Sequence, residues 1–146
     1  MKKYFLPFFK NIEFVIDSLV QDFLDSNQIK LTLNEINVLE IVDKLKKTNS
    51  NTTTNVAALL NLSPSAISIT VKKLEGKNII FRHHDVDDRR VVYITLTSNT
   101  LQLLEKVIAR RDYFLMKHFE GIDNTEEKVL ISLLAKINSN SKQIYE

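Results

Sequence analysis

The chain lacks cysteine and tryptophan and contains only two glycines and two prolines in 146 residues. Without thiols it can form no disulfide, no thiolate zinc site and no cysteine redox switch. The shortage of glycine and proline favours long helices over a fold with many turns. Hydrophobic residues make up 44% of the chain and charged residues 26%, which is the composition of an ordinary folded domain.

Long apolar runs are also missing, and none approaches the roughly 20 residues that a membrane span needs. The apolar start of the chain is interrupted by Lys10, Asn11 and Glu13, and no small-residue cleavage site follows it. We therefore expect a cytoplasmic protein with no membrane partner. The net charge of +2 is weak, so only local clustering of basic residues would indicate a nucleic-acid partner.

Enzyme and metal motifs are absent from the sequence as well. We find no glycine-rich phosphate loop, no nucleophile elbow and no pair of histidines spaced to bind a metal. His83 and His84 are neighbours on a predicted strand, so their side chains point to opposite faces and cannot chelate one ion. Asp85, Asp87 and Asp88 lie in a predicted exposed turn, which provides no burial to tune their pKa values. The sequence predicts no enzyme, no cofactor and no metal site.

Apolar residues recurring at steps of three and four predict a mainly α fold, completed by a small β-hairpin. Thr32 and Glu35 form a capping box at the second helix, and Asn61 is suited to a left-handed stop after the third. Pro7 is expected only in the first turn of the first helix, and the last helix is expected to fray after Asn138. Lys47 to Asn51 reads as a polar loop. The first predicted helix ends near residue 25. The other predicted helices span about 32–46, 53–60, 63–75, 99–119 and 123–138. The predicted hairpin strands are 79–84 and 91–97.

The third and fourth predicted helices have the spacing of a helix-turn-helix, with Leu62 filling the corner between them. Ser63 caps the fourth helix and Pro64 occupies its first position, which leaves free N–H groups at a positive dipole end. The buried side is predicted to carry Ile67, Val71 and Leu74. The outer side carries the candidate contacts to DNA, namely Ser65 and Ser68 for base edges or phosphates, Ile69 for a thymine methyl, and Lys72 and Lys73 for phosphates.

The hairpin places basic side chains beside this helix, and arginine suits a narrow minor groove. We expect Asp88 to pair with Arg90 and hold it extended. The alternative is a solvated helix face with one stray isoleucine and a solvated turn of mixed charge. Because both elements adjoin, DNA binding is favoured over that alternative. The residues expected near the hairpin tip are Arg82, His83, His84, Asp85, Asp87, Asp88, Arg89 and Arg90.

The terminal helices carry more apolar surface than one small lobe can cover, which favours a homodimer. The alternative is that they pack on the lobe of their own chain. On this interpretation residues 31–97 form a winged helix-turn-helix lobe, residues 1–25 and 99–146 form dimerisation helices, and residues 1–146 are one chain.

Residues 31–120 resemble the MarR family of bacterial winged helix-turn-helix transcription regulators. The matching segments are Leu31-Thr32, residues 62–68, residues 72–75, and Asp88-Arg89-Arg90 leading to residues 94–97. The resemblance implies a homodimer on a pseudo-palindromic operator, with residues 64–72 reading the major groove and Arg90 as the wing arginine. It also implies a repressor released by a small aromatic or anionic ligand. Asn78 stands where many members have glycine, and asparagine tolerates the same left-handed backbone.

Three hypotheses follow. The first is a dimeric, sequence-specific regulator that binds double-stranded DNA through Ser63, Pro64, Ser65, Ser68, Ile69, Lys72, Lys73, Arg82, Asp88, Arg89 and Arg90. The second is a winged-helix protein-interaction module that does not bind DNA specifically. The third is a metal- or ligand-sensing member whose DNA binding is conditional, although Asn37 and residues 109–111 offer no zinc cluster.

Overall fold

The computed structural model describes the backbone of residues 2–145 and the side chains of residues 3–140. Within that range the chain is mostly helical with one antiparallel hairpin, as the sequence predicts. The chain divides into two compact units, Met1–Asp112 and Tyr113–Glu146. The elements in order are α1 (Lys2–Ser26), α2 (Leu33–Lys46), α3 (Thr53–Leu59), α4 (Pro64–Gly76), β1 (Ile80–His84), β2 (Val92–Leu96), α5 (Ser98–Lys117) and α6 (Asn124–Tyr145).

Helix α1 begins earlier than expected, at Lys2, so the prediction that Pro7 lies in its first turn is wrong. Proline at this position removes one hydrogen bond, to the carbonyl of Lys3, and the helix continues across the loss. The rings of Phe5 and Phe9 lie one turn apart with centroids 6.0 Å from each other, which packs the apolar face on both sides of the proline. Val20, near the other end of the helix, is buried in the core of the first unit.

The core of the first unit is formed by the end of α1, the apolar faces of α2, α3 and α4, the hairpin and the start of α5. Helix α2 starts at the predicted capping box, in which the Glu35 carboxylate accepts the Thr32 N–H at 2.8 Å. Arg111 of α5 pairs with Glu40 of α2 at 2.7 Å. The side chains that are fully buried include Leu24, Leu39, Val42, Val56, Ile67, Val71, Leu74, Ile94 and Val107.

The hairpin pairs β1 with β2, with Ile80 opposite Leu96 and His84 opposite Val92. A third segment joins it, because the Ile94 N–H donates to the Asn51 carbonyl at 2.9 Å and the Asn51 side-chain amide donates to the Ile94 carbonyl at 2.6 Å. Residues 47–51 form the predicted loop between α2 and α3, and Asn51 at its end is buried. These two bonds anchor the middle of β2 to the end of the α2–α3 connection.

The second unit holds the end of α5 and all of α6. Gly121 has φ of +91°, a left-handed conformation that suits glycine after a helix, and Asp123 caps α6 by accepting the N–H groups of Thr125 and Glu126. Helix α6 continues to Tyr145, so the prediction that it frays after Asn138 is wrong. Apolar side chains exposed in this unit include Met116, Val129, Ile131, Leu133, Leu134 and Ile137.

No single helix in the described part of the chain is both long enough and apolar enough to cross a membrane. The bent pair of α3 and α4 passes that test of length and composition only when its two helices are taken together.

Candidate nucleic-acid interface

Helices α3 and α4 cross at 115°, within the range that defines a helix-turn-helix. Asn61 adopts the predicted left-handed conformation, with φ of 51°, and the Leu62 N–H returns to the Ala57 carbonyl at 3.0 Å. Leu62 itself is about half exposed, so the prediction that it fills the corner is wrong. The backbone hydrogen bonds and the left-handed asparagine make the turn instead.

The start of α4 is built as the sequence predicts. The Ser63 hydroxyl accepts the Ala66 N–H at 3.2 Å, and Pro64 occupies the first helical position. This end of the helix is exposed at Ser63, Pro64 and Ser65. The capped end therefore presents a positive dipole and a hydroxyl to the outside, a combination that suits a phosphate oxygen.

The outer face of α4 carries one continuous stripe. Ser65, Ser68, Ile69 and Lys72 follow the spacing of positions that share a helix face, and all four are exposed. Ile69 has 70% of its surface exposed, whereas Ile67 on the same helix is fully buried. An isoleucine held in water on a polar stripe is a good partner for a methyl group on a ligand.

Lys73 lies beside this stripe but is held by another group. Its ammonium is 3.0 Å from an oxygen of Glu35, a residue of α2 that is almost completely buried. Burial alone would raise the pKa of Glu35, but the Thr32 N–H and the ammonium groups of Lys73 and Lys77 bring that pKa below its usual value. Lys72 makes no ion pair with any side chain that the structure describes. The two adjacent lysines, predicted as equivalent phosphate contacts, differ in their partners.

The turn of the hairpin is ordered by its aspartates. One oxygen of Asp85 accepts the N–H groups of Asp87 and Asp88, at 2.9 and 3.0 Å. Both oxygens of Asp88 accept from the Arg90 guanidinium at 3.0 Å, and the Arg90 N–H also donates to this carboxylate. These bonds to Arg90 lower the pKa of Asp88. The predicted pair is confirmed, and it leaves 91% of the Arg90 side chain exposed.

The other basic residues of the hairpin have different surroundings. Arg89 is exposed, and its carbonyl lies 2.8 Å from Nδ1 of His84. Arg82 was predicted near the tip of the hairpin, but it lies within β1. Its guanidinium pairs there with Glu75 near the end of α4. This pair lowers the pKa of Glu75 and joins the wing to the helix. His83 stacks on Tyr93 with ring centroids 5.3 Å apart.

No group of three or more His, Cys, Asp or Glu side chains in the described residues could hold a metal ion. Three features of this region had no signal in the local pattern of the sequence, namely the buried Asn51, the Glu35–Lys73–Lys77 cluster and the Arg82–Glu75 pair.

The family model described as MarR family matches residues 31–92, which run from the capping box of α2 through α3, α4 and β1 to the start of β2. Over this segment the chain is similar to the MarR family. Asn78 has φ of 57°, so asparagine adopts the left-handed turn after α4 that the sequence predicts.

Two curated relatives also match part of the chain. The chain is 33% identical over 92 residues to the HTH-type transcriptional repressor MdtR of Bacillus subtilis, covering 63% of this chain and 58% of that protein. It is 32% identical over 78 residues to the uncharacterized HTH-type transcriptional regulator YwhA of the same species, covering 53% of this chain and 56% of that protein. The aligned segments thus span a little over half of each relative. Both relatives are named as HTH-type transcriptional proteins, MdtR as a repressor and YwhA as a regulator.

Solved structures show the same fold over nearly the whole chain. The Staphylococcus aureus MepR–DNA complex matches with a TM-score of 0.73 at 20% identity, covering 93% of this chain and 97% of that one. Streptococcus pneumoniae FabT in complex with DNA matches with a TM-score of 0.75 at 19% identity, covering 98% of this chain and 96% of that one. The chain therefore shares the mainly helical winged helix-turn-helix fold of these two proteins.

Proposed function

We propose that this protein is a sequence-specific, dimeric DNA-binding transcriptional regulator. The observation that carries the proposal is the exposed stripe of Ser65, Ser68, Ile69 and Lys72 on a capped helix, followed directly by a hairpin that presents Arg90. Two proteins of the same fold, MepR and FabT, were solved in complex with DNA, which supports this use of the fold.

Helix α4 has the width that the major groove accepts, and its stripe offers the groups that base edges bind. The two serine hydroxyls donate or accept hydrogen bonds, Ile69 contacts a thymine methyl, and Lys72 meets a phosphate. Ser63 and Pro64 bring the positive end of the helix to the backbone. Arg89 and Arg90 enter the adjacent minor groove, where a weakly hydrated guanidinium is preferred.

A second copy of the chain is the partner we propose for the exposed apolar side chains. Helix α1 exposes Tyr4, Phe5, Phe8 and Phe9, and α6 exposes a further apolar set. Monomeric proteins rarely leave such surface in water. A two-fold dimer would place two α4 helices on half-sites about one helical turn apart and would therefore select a pseudo-palindrome.

Repression is the proposed sign of regulation, supported by the name of the relative MdtR. Release by a small aromatic or anionic ligand rests on the family resemblance. The test is melting of the protein with and without such acids, because a ligand that binds the native state raises the melting temperature. A cytoplasmic location belongs to the same proposal, since that is where bacterial DNA is found.

Selection of bound fragments from a random duplex pool tests the central proposal. We expect an enriched pseudo-palindrome whose affinity falls steeply as salt rises, because bound phosphates release counterions. The alternative, a winged-helix protein-interaction module, would enrich no sequence and bind duplex weakly. If this protein enriches no sequence and binds duplex weakly even at low salt, specific recognition of DNA is disproved.

A further inference from the structure

Glu35 lies where the start of α2 meets the end of α4. Only 3% of its surface is exposed, and three donors surround its carboxylate. The Thr32 N–H donates at 2.8 Å, Lys73 lies at 3.0 Å and Lys77 at 3.1 Å. Lys77 also donates to the Lys30 carbonyl at 2.8 Å. One carboxylate therefore caps one helix and binds two lysines of another.

We propose that Glu35 is a positioning residue for DNA recognition, holding Lys73 and Lys77 so that α4 keeps a fixed orientation and Lys72 alone supplies its lysine–phosphate contact. This inference rests on the proposed function, because it assigns roles within the same DNA-reading helix. Lys72 and Lys73, which are adjacent and were predicted to have the same role, thereby have different roles.

The geometry of α4 separates these lysines. Lys72 continues the stripe of Ser65, Ser68 and Ile69, whereas Lys73 is turned about 100° further around the helix, toward α2. Lys77 follows Lys73 one turn later and reaches the same carboxylate. Both ammonium groups are thus drawn to one side of the helix, away from the stripe that reads DNA.

The cluster acts on the end of α4 opposite to the capped end. A buried carboxylate resists losing its partners, because an unpaired charge out of water is costly. The Arg82–Glu75 pair holds the same end of α4 to the hairpin. With its C-terminal part tied to α2 and to β1, the helix presents its N-terminal part in one orientation, which base-specific contacts require.

The first experiment compares Lys72→Met and Lys73→Met, variants that remove the charge and keep an apolar stem. Each is titrated with the selected duplex at several salt concentrations and is melted without DNA. We expect K72M to make the slope of log affinity against log salt shallower, by the amount that about one phosphate contact contributes. We expect the melting temperature of K72M to be unchanged. We expect K73M to leave the slope unchanged and to lower the melting temperature. A slope reduced equally in both variants, with equal melting, would overturn the division.

The second experiment uses Glu35→Gln, which keeps an oxygen for the Thr32 N–H but removes the charge. The released lysines can then reach phosphates. We therefore expect the slope of log affinity against log salt to become steeper, by the amount that up to about two phosphate contacts contribute. We also expect the ratio of specific to non-specific affinity to fall by roughly tenfold, the effect of one misplaced base contact. A role confined to stability would leave both quantities unchanged. That result would overturn the positioning role.

A double-mutant cycle of Glu35→Gln and Lys73→Met, read by melting alone, separates this inference from the proposed function. If the wild-type protein binds no duplex selectively, the proposed function fails, whereas the coupling between the two residues is still measured. Additive effects of the two substitutions would show that the pair does not hold the helix, whatever the DNA result. If E35Q does not fold, Lys77→Met is used in its place. We expect K77M, like K73M, to have a lower melting temperature and an unchanged salt slope.

Discussion

Arg90 is an exposed side chain whose position is fixed by a neighbouring carboxylate. Its guanidinium is fixed by both oxygens of Asp88 while most of its surface faces solvent. A side chain that is already ordered loses less entropy when it enters a groove. We expect Arg90→Ala to flatten the salt slope by about one contact. Asp88→Asn should keep that slope and lower the affinity, because the arginine remains but is no longer held. Titration by fluorescence anisotropy measures both quantities, and a wild-type slope in R90A would exclude Arg90 from the charged groups that contact DNA.

Glu35 gives the protein a stability that depends on pH. Its pKa in the folded protein is lower than the ordinary value of 4.5, so folding favours the ionised form. The stabilisation is complete above that ordinary value and is lost as the pH falls through the folded-state pKa. We expect the difference in unfolding free energy between the wild type and Glu35→Gln to be largest near neutral pH and to shrink below about 4.5. Urea unfolding at several pH values measures it. A constant difference would mean that the charge of Glu35 contributes nothing.

At the scale of the element, α4 presents the same residue type in two environments. Ile67 is fully buried and Ile69 is 70% exposed. We expect Ile67→Ala to destabilise the fold by about 2–5 kcal/mol, because it removes core contacts and leaves a cavity. We expect Ile69→Ala to leave stability nearly unchanged and to weaken the preference for thymine at one position of each half-site. Repeating the duplex selection with folded I69A measures the preference, and an identical selected sequence would remove Ile69 from the reading face.

The starts of α2 and α4 and the turn after α3 were predictable because their signals are local. Thr32 with Glu35, Ser63 with Pro64, and Asn61 each act within about one helical turn, so short sequence patterns identify them. The contacts that orient the elements were not predictable in this way. Asn51 and Ile94 are separated by 43 positions, and Glu35 and Lys77 by 42. Such pairs are decided by how the core closes, which no local pattern in a single sequence records.

At the scale of the whole molecule, the two units have different amounts of buried apolar surface. The first unit holds all of the buried apolar cluster among the described residues, and the described part of α6 contributes no fully buried side chain. A helix that is amphipathic but unburied in its own chain needs another surface to be stable in water. The separation of the chain into a lobe and dimerisation helices stays a prediction, and the state of association tests it.

Phe8 of α1 is a suitable position for that test because it is exposed and lies on the apolar stripe. We expect the wild type to sediment as a dimer and Phe8→Glu to shift it toward monomer, since a buried charge at an apolar interface is costly. Asn11→Glu on the same exposed helix is the control, and we expect it to remain dimeric.

Affinity for a full palindrome should fall in F8E, whereas affinity for a single half-site should not, because one lobe is enough to read one half. Sedimentation measures association and anisotropy measures the two affinities. A monomeric wild type that binds the full palindrome no more tightly than one half-site would show that the exposed stripe of α1 does not join two copies.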